Sequence, residues 1–120
     1  MQLFTEILKD PDAGVRRAAA LALPACCEQG GPELASRVEE LLAELTKDSE
    51  PGVRQAAARG LPACCEQGGP ELVARVVELL ASLAQDPKRE VRNAAFLMAF
   101  TARCKQGGLE LYALARLANH

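Results

Sequence analysis

Residues 10–47 read DPDAGVRRAAALALPACCEQGGPELASRVEELLAELTK, and residues 48–85 read DSEPGVRQAAARGLPACCEQGGPELVARVVELLASLAQ. The two stretches align without a gap, and 26 of the 38 positions are identical. A looser third copy starts at residue 86 (DPKREVRNAAFLMAFTARCKQGGLELYALARL) and carries one extra residue before its KQGG. A period of this length is the signature of a stacked repeat array. One helix pair cannot bury its apolar stripe alone, so stacking of equivalent units supplies a continuous core.

Each unit reads as two helices. The first starts at Pro32 and Pro70, with Glu33 and Glu71 in its first turn, and by position at Leu109 with Glu110. Proline suits the first helical turn, and an acid there meets the positive end of the helix dipole. Leu34, Val38, Leu41, Leu42 and Leu45 then form an apolar stripe of helical period, repeated by Leu72, Val76, Leu79, Leu80 and Leu83. Turns rich in Asp, Ser, Pro and Gly come next. The second helix starts near Val15, Val53 and Val91 and runs to the Gly pairs at 30–31, 68–69 and 107–108, which read as C-caps in the left-handed region. Pro24 and Pro62 fall inside it and should kink it, whereas Ala99 and Phe100 at that place in the third copy leave a straighter helix. The pattern predicts helices over 2–9, 12–29, 32–47, 51–67, 70–85, 88–106 and 109–119. They form a single domain, 1–120, with units about 1–30, 31–68 and 69–107 and a terminal half-repeat at 108–120.

The pattern D-x₄-V-R-x-A-A occurs three times in register: Asp10…Val15-Arg16…Ala18-Ala19, Asp48…Val53-Arg54…Ala56-Ala57 and Asp86…Val91-Arg92…Ala94-Ala95. It resembles the HEAT repeat, and the resemblance covers essentially the whole chain. It implies an all-α, right-handed α-solenoid of about three helix pairs whose second helices line the concave face. It also implies a ladder in which Asp10, Asp48 and Asp86 pair with Arg16, Arg54 and Arg92 between neighbouring repeats. The function it implies is protein–protein interaction or scaffolding, without catalysis. The near-identity of the two central units points to recent duplication or to engineering by consensus or fragment design. An array with no natural ligand, self-associating through its terminal helices, is the alternative reading.

The 120 residues are 49% hydrophobic, 25% charged and only 3% aromatic, with a net charge of −2. Alanine and leucine therefore build the core, and the acidic balance disfavours a charge-driven nucleic-acid binder. No apolar run approaches the roughly 20 residues that span a bilayer. With no basic-then-apolar leader in MQLFTEILKD, a cytoplasmic setting is expected. The single histidine, His120, argues against a His-based catalytic or metal constellation, and no phosphate-binding glycine motif occurs. No cofactor, metal or catalytic residue is expected. Glu39, Glu40, Glu44 and Glu78 read as solubilising acids opposite the apolar stripe.

The five cysteines are Cys26, Cys27, Cys64, Cys65 and Cys104. Neighbouring side chains on a helix diverge by about 100°, so only one of each adjacent pair should face the core. Continuing the series Val15, Ala19, Ala22 and Val53, Ala57, Gly60 places Cys26 and Cys64 inside, with Cys27 and Cys65 partly exposed. Equivalent cysteines in stacked repeats should lie about 10 Å apart, beyond the roughly 7 Å Cα separation a disulfide tolerates.

Matched positions that vary between copies mark surface free of packing constraint. They are Arg17, Gln55 and Asn93, and one turn later Leu21, Arg59 and Leu97. These six are the candidate partner-binding residues. Phe96, Phe100, Leu111, Tyr112 and Leu114 concentrate bulk near the C-terminus, where Phe100 is expected to cap the stack; an exposed apolar patch that seeks a partner or a second copy is the alternative.

Overall fold

A computed structural model describes residues 2–67 and 69–104, and every regular element among them is an α-helix. In chain order these are α1 (Gln2–Ile7), α2 (Ala13–Ala22), α3 (Pro24–Leu45), α4 (Pro51–Gly60), α5 (Ala63–Gln67), α6 (Pro70–Leu83) and α7 (Arg89–Cys104). The helix expected at 109–119, the terminal half-repeat and the Gly107–Gly108 pair lie outside the described residues.

Local chemistry sets the helix starts. Asp12 caps α2 by accepting from the Gly14 N–H at 2.8 Å, and its own N–H donates to Asp10. Pro51 and Pro70 stand in the first turns of α4 and α6, where a missing N–H costs nothing. The residue before α4, Glu50, has extended backbone, and its N–H donates to the Asp48 carboxylate at 2.9 Å.

In the first two units the hydrogen-bond ladder of the predicted second helix is interrupted at its proline, while the preceding Leu23 and Leu61 keep helical backbone angles. α2 ends at Ala22 and Pro24 opens α3, while α4 ends at Gly60 and a Leu61–Pro62 turn precedes α5. Proline has no N–H to continue the ladder and crowds the preceding turn. The chain turns instead through i→i+3 bonds: Cys26 N–H to Leu23, Cys64 N–H to Leu61 and Cys65 N–H to Pro62. Phe100 occupies the equivalent place in the third copy, and α7 runs unbroken there. α3 crosses a second break at Gly31, whose φ of 72° and ψ of −166° are essentially confined to glycine. Beyond this break, from Pro32 onward, α3 is the first helix of the next unit as predicted. Gly69 does not share the Gly31 conformation: its backbone is extended, and it stands at the start of α6.

α2 packs on α4, and α4 on α7, so the second helices form one layer; α3 packs on α4 and α5, and α6 on α7. The core between them is small and aliphatic. Ala56, Ala57, Ala58 and Gly60 of α4 are buried, which lets helix backbones approach closely. A Cβ built on Gly60 would stand 2.9 Å from Pro24 Cγ and 3.3 Å from Leu42 Cδ1. Val38, Leu42, Leu45, Leu72, Val76, Leu80 and Leu83 fill the other side. Of the two predicted stripes, Leu34 and Leu79 are only partly buried. Val53 and Val91 are fully enclosed, but Val15 is exposed, because α2 has a helix of its own layer on one side only.

Candidate functional site

The turn after each first helix and the start of each second helix bring the Asp and Arg of the repeated motif together. Arg16 donates through Nε to Asp48 Oδ2 at 2.8 Å and through Nη2 to Asp48 Oδ1 at 3.1 Å, and through Nη1 to the Asp10 carbonyl at 2.7 Å. Arg54 repeats this on Asp86 at 2.7 and 3.1 Å, with its Nη1 on the Asp48 carbonyl at 2.7 Å. Each guanidinium thus grips the carboxylate of the next repeat in a two-point fork and the backbone of its own, a geometry that lysine could not supply. Arg92 holds the Asp86 carbonyl at 2.8 Å. The Asp10 carboxylate serves its own turn, accepting the Asp12 N–H.

These rungs shift proton affinities. Burial opposes ionisation of Asp48 and Asp86, but the hydrogen bonds from Arg16 and Arg54 and from the backbone N–H groups of Glu50 and Lys88 outweigh it. Both carboxyls are held below the ordinary aspartate range. The Arg16 guanidinium is raised by its bond to Asp48. Arg16 and Arg54 each commit Nε, Nη1 and Nη2 to these bonds, which join neighbouring repeats.

Glu39 departs from its expected solubilising role. It is buried, and Arg75 of α6 donates to it across the α3–α6 contact at 3.0 Å. The second copy has Val77 at the matching place, so no repeat pattern announces this pair. Glu40 does lie at the surface, with Arg37 one turn before it.

The cysteines also require correction. Cys27 and Cys65 are buried, as is Cys64, while Cys26 is the partly exposed one of the four. The i→i+3 turns at the proline breaks explain why. Such a turn has about 3.0 residues rather than 3.6, so a phase counted from Val15 or Val53 slips before it reaches the cysteines. Cys27 then joins Leu23 in the core, and Cys64 and Cys65 join Leu61. The close approach is between unequal positions of the two repeats: Cys27 Sγ lies 3.8 Å from Cys64 Sγ. The bond to Cys27 and burial both push the Cys64 thiol up. Among the described residues no group of three or more His, Cys, Asp or Glu side chains could hold a metal ion, and no helix is long and apolar enough to cross a membrane.

The layer of second helices presents the varied positions outward. Arg17, Leu21, Arg59, Asn93 and Leu97 are exposed and Gln55 is half-buried. Gln55 and Arg59 of α4 face Glu90, Asn93, Ala94, Leu97 and Met98 of α7 across an open groove of about 480 Å³. Four of the six candidates therefore line one concavity. Arg17 and Leu21 sit on α2, where the Arg17 side chain reaches over Gly52 at the start of α4. Leu97 is 58% exposed, Phe100 52% and Leu21 49%, a large apolar display for a small chain. Phe100 therefore does not fill the end of the core as expected. Variation between copies did not single out Glu90, Ala94 and Met98. Their signal was helical spacing, since 90, 94 and 97–98 continue the face that carries Asn93 and Leu97.

No curated protein matches the chain. Models of the HEAT-repeat family do: one described as HEAT repeats matches residues 38–100, and one described as HEAT repeat matches residues 1–30. The matched stretches contain all three Asp–Arg motifs, and the first alone covers more than half of the 120 residues. The sequence register, the helix pairs and the inter-repeat rungs agree with that match, and the chain belongs to the HEAT-repeat family.

Proposed function

We propose that the chain is a non-catalytic interaction or scaffold module that binds a protein segment along the face formed by α2, α4 and α7. HEAT repeats generally mediate protein–protein interaction or scaffolding, which supports the class of function. The observation that carries the reading is the groove between α4 and α7, lined at the positions that differ between otherwise similar repeats. Its chemistry suits a segment that presents an apolar side chain to Ala94, Leu97 and Met98 and a carboxylate to Arg59. Gln55 and Asn93 supply side-chain amides for the segment's backbone, and Arg17 extends the cationic side toward α2. Buried apolar anchors dominate such interfaces, while exposed charges set orientation and association rate.

A displayed peptide library selected on the wild type and counter-screened on Arg59→Glu and Leu97→Asp tests this. Both side chains are exposed, so the variants should fold. Selected peptides should combine an apolar and an acidic residue and lose at least about tenfold in affinity for either variant, or about 1.4 kcal/mol. Equal binding to both variants would reject this face. Self-association through the terminal helices is the competing reading. Light scattering across a wide concentration range should give a constant mass near 12.8 kDa; concentration-dependent growth would favour assembly instead.

A further inference from the structure

The breaks at Pro24 and at Leu61–Pro62 place two thiols from different repeats in contact inside the core. Cys27 stands four residues after Leu23, and Cys64 three after Leu61; all four side chains are fully enclosed. The sulfurs are 3.8 Å apart, so each needs to move only about 0.9 Å to reach the roughly 2.05 Å of a disulfide. We infer that Cys27 and Cys64 form a modification site, closing into a disulfide that staples the first repeat to the second when a small oxidant of the peroxide class reaches them.

The chemistry balances with hydrogen peroxide as the oxidant. One sulfur, as its thiolate, attacks a peroxide oxygen; the S–O bond forms, the O–O bond breaks and the departing hydroxide takes up the thiol's proton as water. The second sulfur attacks the resulting sulfenic sulfur; the S–S bond forms, the S–O bond breaks and a second water leaves with the second thiol's proton. Two thiols are oxidised and one peroxide is reduced to two waters. Access comes through the same breaks that create the contact, since i→i+3 turns interrupt the helical ladder on both sides and local opening is easiest where hydrogen bonding is weakest. Raised proton affinity at Cys64 makes the closure slow near neutrality and faster as pH rises.

The site is selective because of geometry rather than reactivity. Cys26 is the more accessible thiol, yet its sulfur is not the one that meets Cys64. Folded wild-type protein is treated with hydrogen peroxide, the remaining thiols are alkylated, and cross-linked peptides are sequenced by fragmentation. The expected product is a monomer lighter by two hydrogens with one Cys27–Cys64 bridge, a raised melting temperature, and full reversal by reductant. The variant Cys26→Ala/Cys65→Ala should keep the bridge, while Cys64→Ala should lose at least nine-tenths of it. Should either variant fold poorly, the wild-type map decides alone. A different pairing, a bridge between two chains, a bridge formed only in denaturant, or none after prolonged exposure each overturns the inference.

Discussion

Arg54→Ala should be among the costliest single changes at this protein's polar positions, because it breaks one inter-repeat rung completely. The guanidinium makes two bonds to Asp86, at 2.7 and 3.1 Å, and one to the Asp48 carbonyl at 2.7 Å. The two side chains are only 13% and 7% exposed. Removing one partner of a fully buried pair costs about 3–5 kcal/mol. Asp86 keeps the Lys88 N–H at 2.9 Å and some solvent, so the expected loss is about 2–3 kcal/mol, nearer the value for charged hydrogen bonds. At this chain length that lowers the melting temperature by about 10 °C. Arg59→Ala removes an exposed side chain of the same kind and should stay within about 0.5 kcal/mol. Chemical denaturation of Arg54→Ala, Asp86→Ala and the double variant, with reductant present, measures the coupling directly. The expected coupling is about 1.5–2.5 kcal/mol, as for a charge-assisted fork. A coupling under about 0.5 kcal/mol, as for an ordinary surface pair, or a larger loss for Arg59→Ala, would refute the account.

The same pair fixes a pH signature. The folded-state pKa of Asp86 lies below its unfolded value of about 3.9. The contribution is therefore complete above pH ~4 and lost as pH falls through the folded value. The stability gap between wild type and Arg54→Ala should close over that acidic window, and a gap independent of pH down to about pH 2 would be inconsistent with the rung. Three further substitutions probe the breaks and the close approaches. Gly31→Ala meets nothing within 4 Å of the new Cβ, so its expected loss of about 1–3 kcal/mol is the backbone cost of the positive φ alone; an unchanged denaturation midpoint would mean the chain does not use that conformation. Gly60→Ala improves helix propensity but drives a methyl against Pro24 Cγ. Overpacking of about 1–3 kcal/mol should win over a gain of about 1 kcal/mol, and a raised melting temperature would show that α3 and α4 pack more loosely than this contact requires. Cys27→Ser should cost about 1–3 kcal/mol by placing a hydroxyl in the core, well above Cys26→Ser under reducing conditions; a larger loss for Cys26→Ser would restore the unbroken helical phase.

Val53 and Cys27 mark where reading the sequence succeeds and where it stops. Val53, Ala57, Val76 and Leu80 are buried as their spacing predicts, because a regular helix carries its phase forward without outside information. Cys27 and Cys65 lie beyond a proline, where the turn tightens and the count slips. The groove positions were legible because the repeats act as their own comparison: residues 17, 55 and 93 differ where their neighbours do not, and none of the three is buried. Val15 and Phe100 were misplaced because their burial depends on what lies beside the helix rather than on the helix itself.

By itself, the sequence determined the repeat register, the helix pairs, the proline interruptions and the three Asp–Arg motifs, all of which depend on interactions within a few residues. Packing between repeats decided that Arg16 grips Asp48 in a two-point fork through Nε and Nη2, that Glu39 meets Arg75, and that Cys27 touches Cys64. Those partners are 32, 36 and 37 residues apart. Which of them meet is set by how neighbouring repeats rotate and pack against each other, and no local propensity specifies that rotation.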